Sequence, residues 1–300
     1  MSAPETTSNG DGPSSEAPTV GFIGLGQIGA PLATHLLRWP GGLVVCDVRP
    51  EATEPFVEQG ASAVPDAATL GGEAGIIQVM VLDDDQVRSV VDDILPVAEP
   101  GTVIAIHSTI RPETAEQVAA DAAEADVLVV DAPVSGGFMG AHEGNLAVMV
   151  GGPDEAVEAV REPFALWSDL LVHAGPRAGD GTRMKLARNL ITFAGFSAAL
   201  EGAQLAAAAG ISVKDLGDVV RHSDRITGGA GAIMMRDAVG PLDADDGLYD
   251  IFGHTRTLGE KDLHLAATLG EQLGVELPFT RLALERFAEN LGRPHDDGDD

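Results

Sequence analysis

Cysteine, lysine and positive charge in general are scarce in this chain. Its 300 residues include one cysteine, Cys46, which excludes an internal disulfide and fits a reducing compartment. Eighteen Lys and Arg face 47 Asp and Glu, for a formal net charge of −29 at pH 7. So acidic a surface repels phosphate backbones and anionic lipid, which makes nucleic acid and membrane poor partners. A charged-then-apolar leader is also missing. Residues 1–17 are polar and rich in Pro, Ser and Gly and read as a disordered tail, and residues 293–300 read as an acidic one. The longest apolar stretch, Leu190 to Leu200, is broken by Thr192 and Ser197 and followed by Glu201. It reads as too short and too polar to span a bilayer, so a soluble, cytoplasmic protein is expected.

What is present is enough apolar material for a core: 44% hydrophobic residues and a mean hydropathy of +0.10. The length favours two domains. From Thr19 to about Ala174, short β-like runs ("TVGFIG", "LVVCD", "GIIQVMVL", "TVIAIH", "VLVVDAP") alternate with helical segments such as "PETAEQVAADAAEA". That alternation indicates an α/β fold with a Rossmann-type, doubly wound, mainly parallel sheet. "LAVMVGG" and "LLVHAG" read as further strands closing the domain. After Gly175 no convincing strand follows. The expected layout is a dinucleotide-binding domain over residues 18–176 and an all-α C-terminal domain over 177–292. In the latter, residues 180–209 form one long helix, with shorter ones at 213–222, 230–237, 256–273 and 279–291. The long helix is apolar nearly all round, which implies burial on several sides. A second subunit is the favoured cover, so a homodimer or homotetramer is expected.

The first apolar strand runs into Gly24-Leu25-Gly26-Gln27-Ile28-Gly29 and then a helix, with a second strand ending in Asp47. Glycines there allow a tight turn and let the backbone approach a pyrophosphate, which the helix N-terminus stabilises. Asp47 can accept ribose hydroxyls and would repel a 2′-phosphate, which favours NAD. Arg49, two residues on, could pair with such a phosphate, which keeps NADP as the alternative. Two more strands end in polar loops. Met80 to Asp83, with Val81 and Leu82 at its centre, and Ser108-Thr109 are therefore candidates to line a nicotinamide pocket. No metal is expected: His142-Glu143 lacks the second histidine of a zinc helix.

"DAPVSGGFMGAHEGNLAVMVGG" (131–152) is the most specific stretch. Ser135, Gly136 and Gly137 offer a hydroxyl and exposed backbone N–H groups at a strand end, a nest suited to a carboxylate. With "GFIGLGQIGAPLA", "GDGTRMKLARN" and "EKDLHLAATLGEQLGVELP" in the same order, residues 19–291 closely resemble the β-hydroxyacid dehydrogenase family. That family includes 3-hydroxyisobutyrate dehydrogenase, tartronate semialdehyde reductase and 6-phosphogluconate dehydrogenase. The resemblance implies a general acid/base at Lys185 and substrate contacts from Ser135, Gly136, Gly137 and Asn189. It places Lys261 at the mouth of the cofactor–substrate cleft. Asn145 stands where many members carry threonine, and Arg188 where relatives often show a second asparagine.

The lysine economy fits this reading. Only Lys185, Lys214 and Lys261 occur. Composition alone would make Lys185 a snorkelling surface residue, but it lies one helical turn from Asn189, on the same face. Arginine stays protonated and cannot exchange a proton with an alcohol. A lysine can, once burial lowers its proton affinity. Lys214, in "ISVKDLG", reads as a solvated charge. The expected activity is NAD(P)-dependent oxidation of a small 3-hydroxy acid, resembling 3-hydroxyisobutyrate. The alternatives are an imine reductase on the same fold, or a non-catalytic dinucleotide-binding regulator. Both alternatives usually lack the lysine.

Overall fold

The structure is a computed structural model that describes residues 17–295. Of the two tails expected from the sequence, only Ala17 and residues 293–295 lie within that range. Strands β1 (Val20–Ile23), β2 (Leu43–Cys46), β3 (Ser62–Ala63), β4 (Ile76–Val79), β5 (Val103–Ile106), β6 (Leu128–Asp131), β7 (Val134–Ser135), β8 (Leu146–Gly151) and β9 (Ser168–Gly175) form one sheet. Helices α1 (Gly29–Leu36), α2 (Glu54–Val57), α3 (Ala67–Gly71), α4 (Asp84–Ile94), α5 (Pro112–Ala123), α6 (Gly137–Glu143) and α7 (Asp154–Phe164) are interspersed among them.

The strand order is β3-β2-β1-β4-β5-β6-β8-β7, with β9 also paired to β8. The first six strands are mutually parallel, while β8 runs antiparallel to β6. Order reverses between β1 and β4, the switch point where open α/β sheets bind ligands. Strands β1, β2, β4 and β5 are buried at every residue, which is why they read as apolar runs, broken only by Gln78 in β4, instead of alternating ones. Alternation still sorts their side chains. Val20, Phe22, Val45 and Ala105 join α1 and α7 in one core; Ile23, Val44, Cys46 and Ile104 join α3, α4 and α5 in the other. On α4 the buried residues Val87, Val91 and Ile94 share a single stripe, and Asp83 caps its N-terminus by accepting from the Gln86 N–H. The sequence segments therefore appear where expected; the two-residue strands β3 and β7 are additions too short to carry a periodic signal.

The chain divides into two compact units between Ala187 and Arg188, inside the 29-residue helix α8 (Asp180–Ala208). The second unit continues with α9 (Val213–Thr227), α10 (Tyr249–Leu273) and α11 (Pro278–Asn290). Residues 230–237, expected as a helix, instead hold a short 3-10 turn over Gly229–Ile233. Two glycines among five residues weaken a regular helix there. Glu201 of α8 is buried and accepts the Phe279 N–H (2.7 Å) and the Thr280 N–H and hydroxyl (2.9 and 3.0 Å). It thereby caps α11 from a neighbouring helix. Arg293 and Pro294, assigned to a tail, are docked: their carbonyls accept from Arg256 at 3.0 and 3.1 Å, and the Arg293 guanidinium stacks on Tyr249.

Within a single chain much of α8 is uncovered, and the expected cover is a second subunit. Leu190, Phe193, Phe196 and Leu200 are 69%, 59%, 59% and 64% exposed, so the helices of their own unit leave them uncovered. By length and composition α8 is also sufficient to cross a membrane. The interruptions at Thr192 and Ser197 therefore do not by themselves exclude a membrane span.

Candidate active site

At the end of β1 three glycines do three different jobs. Gly24 has φ +95°, and a Cβ there would lie 2.2 Å from the Met80 carbonyl oxygen. Only glycine fits that turn. A Cβ on Gly29 would meet the Gly24 carbonyl oxygen at 2.0 Å, so the start of α1 packs directly on the turn. Gly26, by contrast, faces open space. Tight turn, open backbone and close helix packing are what a pyrophosphate cradle requires, so these residues fit a dinucleotide.

Gly24, Gly26, Gln27, Ile28, Gly29, Asp47, Arg49, Val81 and Leu82 all line one cleft of about 900 Å³, with Asp66 and Asp93 farther along its wall. Asp47 follows β2. Its Oδ2 accepts the Leu25 N–H at 2.7 Å, and its Oδ1 accepts the Arg49 N–H and Nε–H at 2.9 and 3.2 Å. Burial pushes the Asp47 carboxyl upward, but these donors from Arg49 and Leu25 outweigh it and hold the group below the usual carboxylate range. Arg49 is thus occupied by Asp47 and reaches the Leu25 carbonyl at 3.3 Å. Asp47 keeps acceptor capacity on Oδ2 for a ribose hydroxyl.

Ser108 acts on the cleft from behind. Buried, it accepts the Val81 N–H (3.0 Å) and donates to the Val81 carbonyl (2.8 Å). Its hydroxyl is therefore a brace for the Val81 wall, not the lining the sequence suggested. Thr109 is exposed. His107, absent from the sequence reading, is fully buried, and burial pushes its imidazole down to about 4. The neutral ring carries one N–H. Nδ1 donates it to the Ala132 carbonyl at 2.8 Å, so Nε2, 3.0 Å from the Gln78 amide, accepts. The atom facing Nε2 is the Gln78 Oε1, while the buried amide nitrogen has no partner among the described residues; exchanging the amide's O and N gives the ring acceptor a donor. The one sequence signal for this pair was a polar residue inside one apolar strand, Gln78 in β4, and another directly after the next, His107 after β5.

Beyond β6 the chain reaches the substrate-loop candidates. Ser135 closes β7, and Gly136 (φ +135°) and Gly137 (φ +65°) turn the backbone into α6. At the end of α6, His35 of α1 sits 3.1 Å from the Ala141 carbonyl. Lys185 lies in the second turn of α8, half-buried, and its Nζ donates to the Val134 carbonyl at 2.6 Å. The amine is thereby held beside the residue that precedes Ser135. Asn189 follows one turn later on α8, in the second unit, with Arg188 Nη1 3.5 Å from its side-chain oxygen. Lys261 belongs to α10 of the second unit and pairs with the adjacent Asp262 at 2.8 Å. Asn145 binds Glu143 across a turn at 3.0 Å. The first unit therefore brings together the glycine cradle, Asp47 and the Val81 wall in one cleft, and Lys185 with the Val134–Gly137 loop.

Residues 19–175 match the family described as the NAD binding domain of 6-phosphogluconate dehydrogenase. Residues 179–300 match that described as NAD-binding of NADP-dependent 3-hydroxyisobutyrate dehydrogenase. An uncharacterized oxidoreductase of Mycobacterium tuberculosis is 52% identical over 285 residues, 94% of this chain and 96% of that protein. The crystal structure of an oxidoreductase from Mycobacterium avium 104 superposes with a TM-score of 0.89 at 51% identity, covering 93% of this chain and 100% of that one. The NAD-dependent L-serine dehydrogenase of Pseudomonas aeruginosa is 33% identical over 279 residues, 89% of this chain and 90% of that protein. The chain belongs to the β-hydroxyacid dehydrogenase family and takes a nicotinamide cofactor.

Proposed function

We propose that the protein oxidises a small 3-hydroxy acid, with Lys185 as general acid/base and NAD as the preferred cofactor. The observation that carries this is the Lys185 amine, fixed by the Val134 carbonyl at the entrance to the Ser135–Gly137 loop. The substrate carboxylate rests on that loop, where Ser135 and the backbone N–H groups can donate to it. Asn189, one turn along α8 from Lys185, fixes the reacting hydroxyl. Neutral Lys185 takes the hydroxyl proton, and in the reverse direction its ammonium returns it. The bound nicotinamide supplies the hydride chemistry. Lys185 argues against an imine reductase and against a non-catalytic regulator.

The relative named an L-serine dehydrogenase makes L-serine a natural member of the substrate panel, beside 3-hydroxyisobutyrate. Lys185→Ala should keep cofactor binding and lower turnover by roughly 10²–10⁴. Lys185→Arg, which keeps the charge but cannot exchange a proton, should be about as inactive. Substantial turnover by the arginine variant would remove Lys185 from proton transfer. We further read the uncovered face of α8 as a subunit interface of a soluble homo-oligomer, because Glu201 ties that helix into the helical unit.

A further inference from the structure

Residues 131–134 are tied to the rest of the first unit at every position. Asp131 is fully buried, and neither of its oxygens is idle: Oδ1 accepts the Gly179 N–H at 2.7 Å and Oδ2 the Thr182 N–H at 2.5 Å. Ala132 donates to the Ile106 carbonyl at 2.7 Å and accepts from His107. The Pro133 carbonyl accepts the Met149 N–H at 3.1 Å. The Val134 carbonyl accepts from Lys185.

Two of these ties run to the same helix. Asp131 holds the first turn of α8 at Thr182, and Val134, three residues later, holds Lys185, three residues later on α8. Three residues of extended chain cover at most about 10 Å, whereas three helical residues rise only about 4.5 Å. The lysine side chain makes up the difference. Its direction is then set by the two ends of the clamp. Gly181 shows how closely the helix start sits: a Cβ there would be 2.4 Å from the Met149 carbonyl oxygen and 2.6 Å from that of Asp131.

We propose that Asp131 is the positioning residue for the Lys185 amine: its buried carboxylate pins the start of α8 so that the Lys185 amine meets Val134 at the head of the loop that follows. This deepens the reading of Lys185 as the acid/base and rests on it for its catalytic meaning, but the geometric claim can be tested separately. Asp131→Asn replaces one acceptor oxygen with an NH2 that faces a backbone N–H. That removes one bond and sets donor against donor.

The chain's three lysines allow a direct measurement. Brief acetylation of the full-length protein, followed by mass spectrometry, gives a rate for each of Lys185, Lys214 and Lys261. In Asp131→Asn the Lys185 rate should rise about tenfold towards that of Lys214, with the Lys214 and Lys261 rates unchanged. A uniform rise of all three would signal general loosening, and an unchanged Lys185 rate would show no coupling; either result overturns the proposal. Should Asp131→Asn fail to fold, Gly181→Ala lifts the same helix turn without touching the carboxylate and must give the same selective rise. Turnover supplies the second arm, with L-serine and 3-hydroxyisobutyrate as substrates. Asp131→Asn should lower kcat on the order of 10²-fold with little change in KM, and should cost nothing further in the Lys185→Ala background. Multiplicative losses would overturn positioning through Lys185. If instead Lys185→Ala alone stays active, the acid/base reading falls, while the labelling still decides whether Asp131 places the amine.

Discussion

Asp47 already meets three N–H donors from Leu25 and Arg49, and this decides what a cofactor's ribose can find there. Its place at the end of β2 was legible in the sequence; that Arg49 spends its charge on Asp47 was not, because a pair two residues apart can equally face solvent. NAD(H) should therefore support higher turnover than NADP(H) at equal concentration. Asp47→Ser should free Arg49 and move the ratio towards NADP(H), read from steady-state rates with both cofactors. A tenfold preference of the unmodified protein for NADP(H), about 1.4 kcal/mol in the opposite direction, would show that Arg49 dominates. His107 belongs to the same scale. Its folded proton affinity, at about 4, lies below the unfolded value of about 6.5. Between those values the unfolded chain binds the extra proton, so stability falls as pH drops from about 6.5 to 4, by up to about 3 kcal/mol from this group. Thermal melts across that range should show the gap between the unmodified protein and His107→Asn, which cannot charge, narrowing as the pH falls.

Helix α8 is the element that serves both units. Its first turn is held by Asp131, its second carries Lys185, and its later half presents Glu201 to α11. The apolar run made the helix easy to read in the sequence. Its tethers were hidden, because Asp131 and Glu201 bind partners 51 and 78 residues away and no local pattern reports such a distance. Removing the Glu201 carboxylate, itself buried, should matter more than an exposed cap would, since it leaves the part-buried N–H groups of Phe279 and Thr280 unpaired. Glu201→Ala should lower stability by about 2–3 kcal/mol, starting from the roughly 1 kcal/mol of an ordinary cap. The expected signature is earlier melting of the helical unit with cofactor affinity retained. Equal loss of cofactor binding would mean that the two units do not unfold separately.

At the scale of the molecule, the second unit has little core of its own: among the described residues its buried cluster is Leu242, Phe252 and Leu291. Leu190, Phe193, Phe196 and Leu200 meanwhile remain open to solvent. Apolar surface of that extent on a helix is ordinarily covered by a partner. Sedimentation of the purified protein at micromolar concentration should show a dimer or larger species. Substituting Phe193 and Phe196 with aspartate should dissociate it. A monomeric native protein would remove the interface reading, and recovery of the chain in the membrane fraction would assign α8 to lipid instead.

The sequence by itself determined the alternation of strands and helices, the glycine cradle, Asp47 and the Lys185–Asn189 spacing. Each of these is a local matter: a run of buried residues, a turn only glycine tolerates, two side chains one helical turn apart. Tertiary structure decided what those residues are attached to. It turned Ser108 from a pocket wall into a brace for Val81, and it decided that Leu190, Phe193, Phe196 and Leu200 form the face of α8 that a single chain leaves open. It also joined His107 to Ala132 and Asp131 to Thr182. These ties depend on which chain segments the parallel sheet sets side by side, and a sequence read along its own length holds no record of that adjacency.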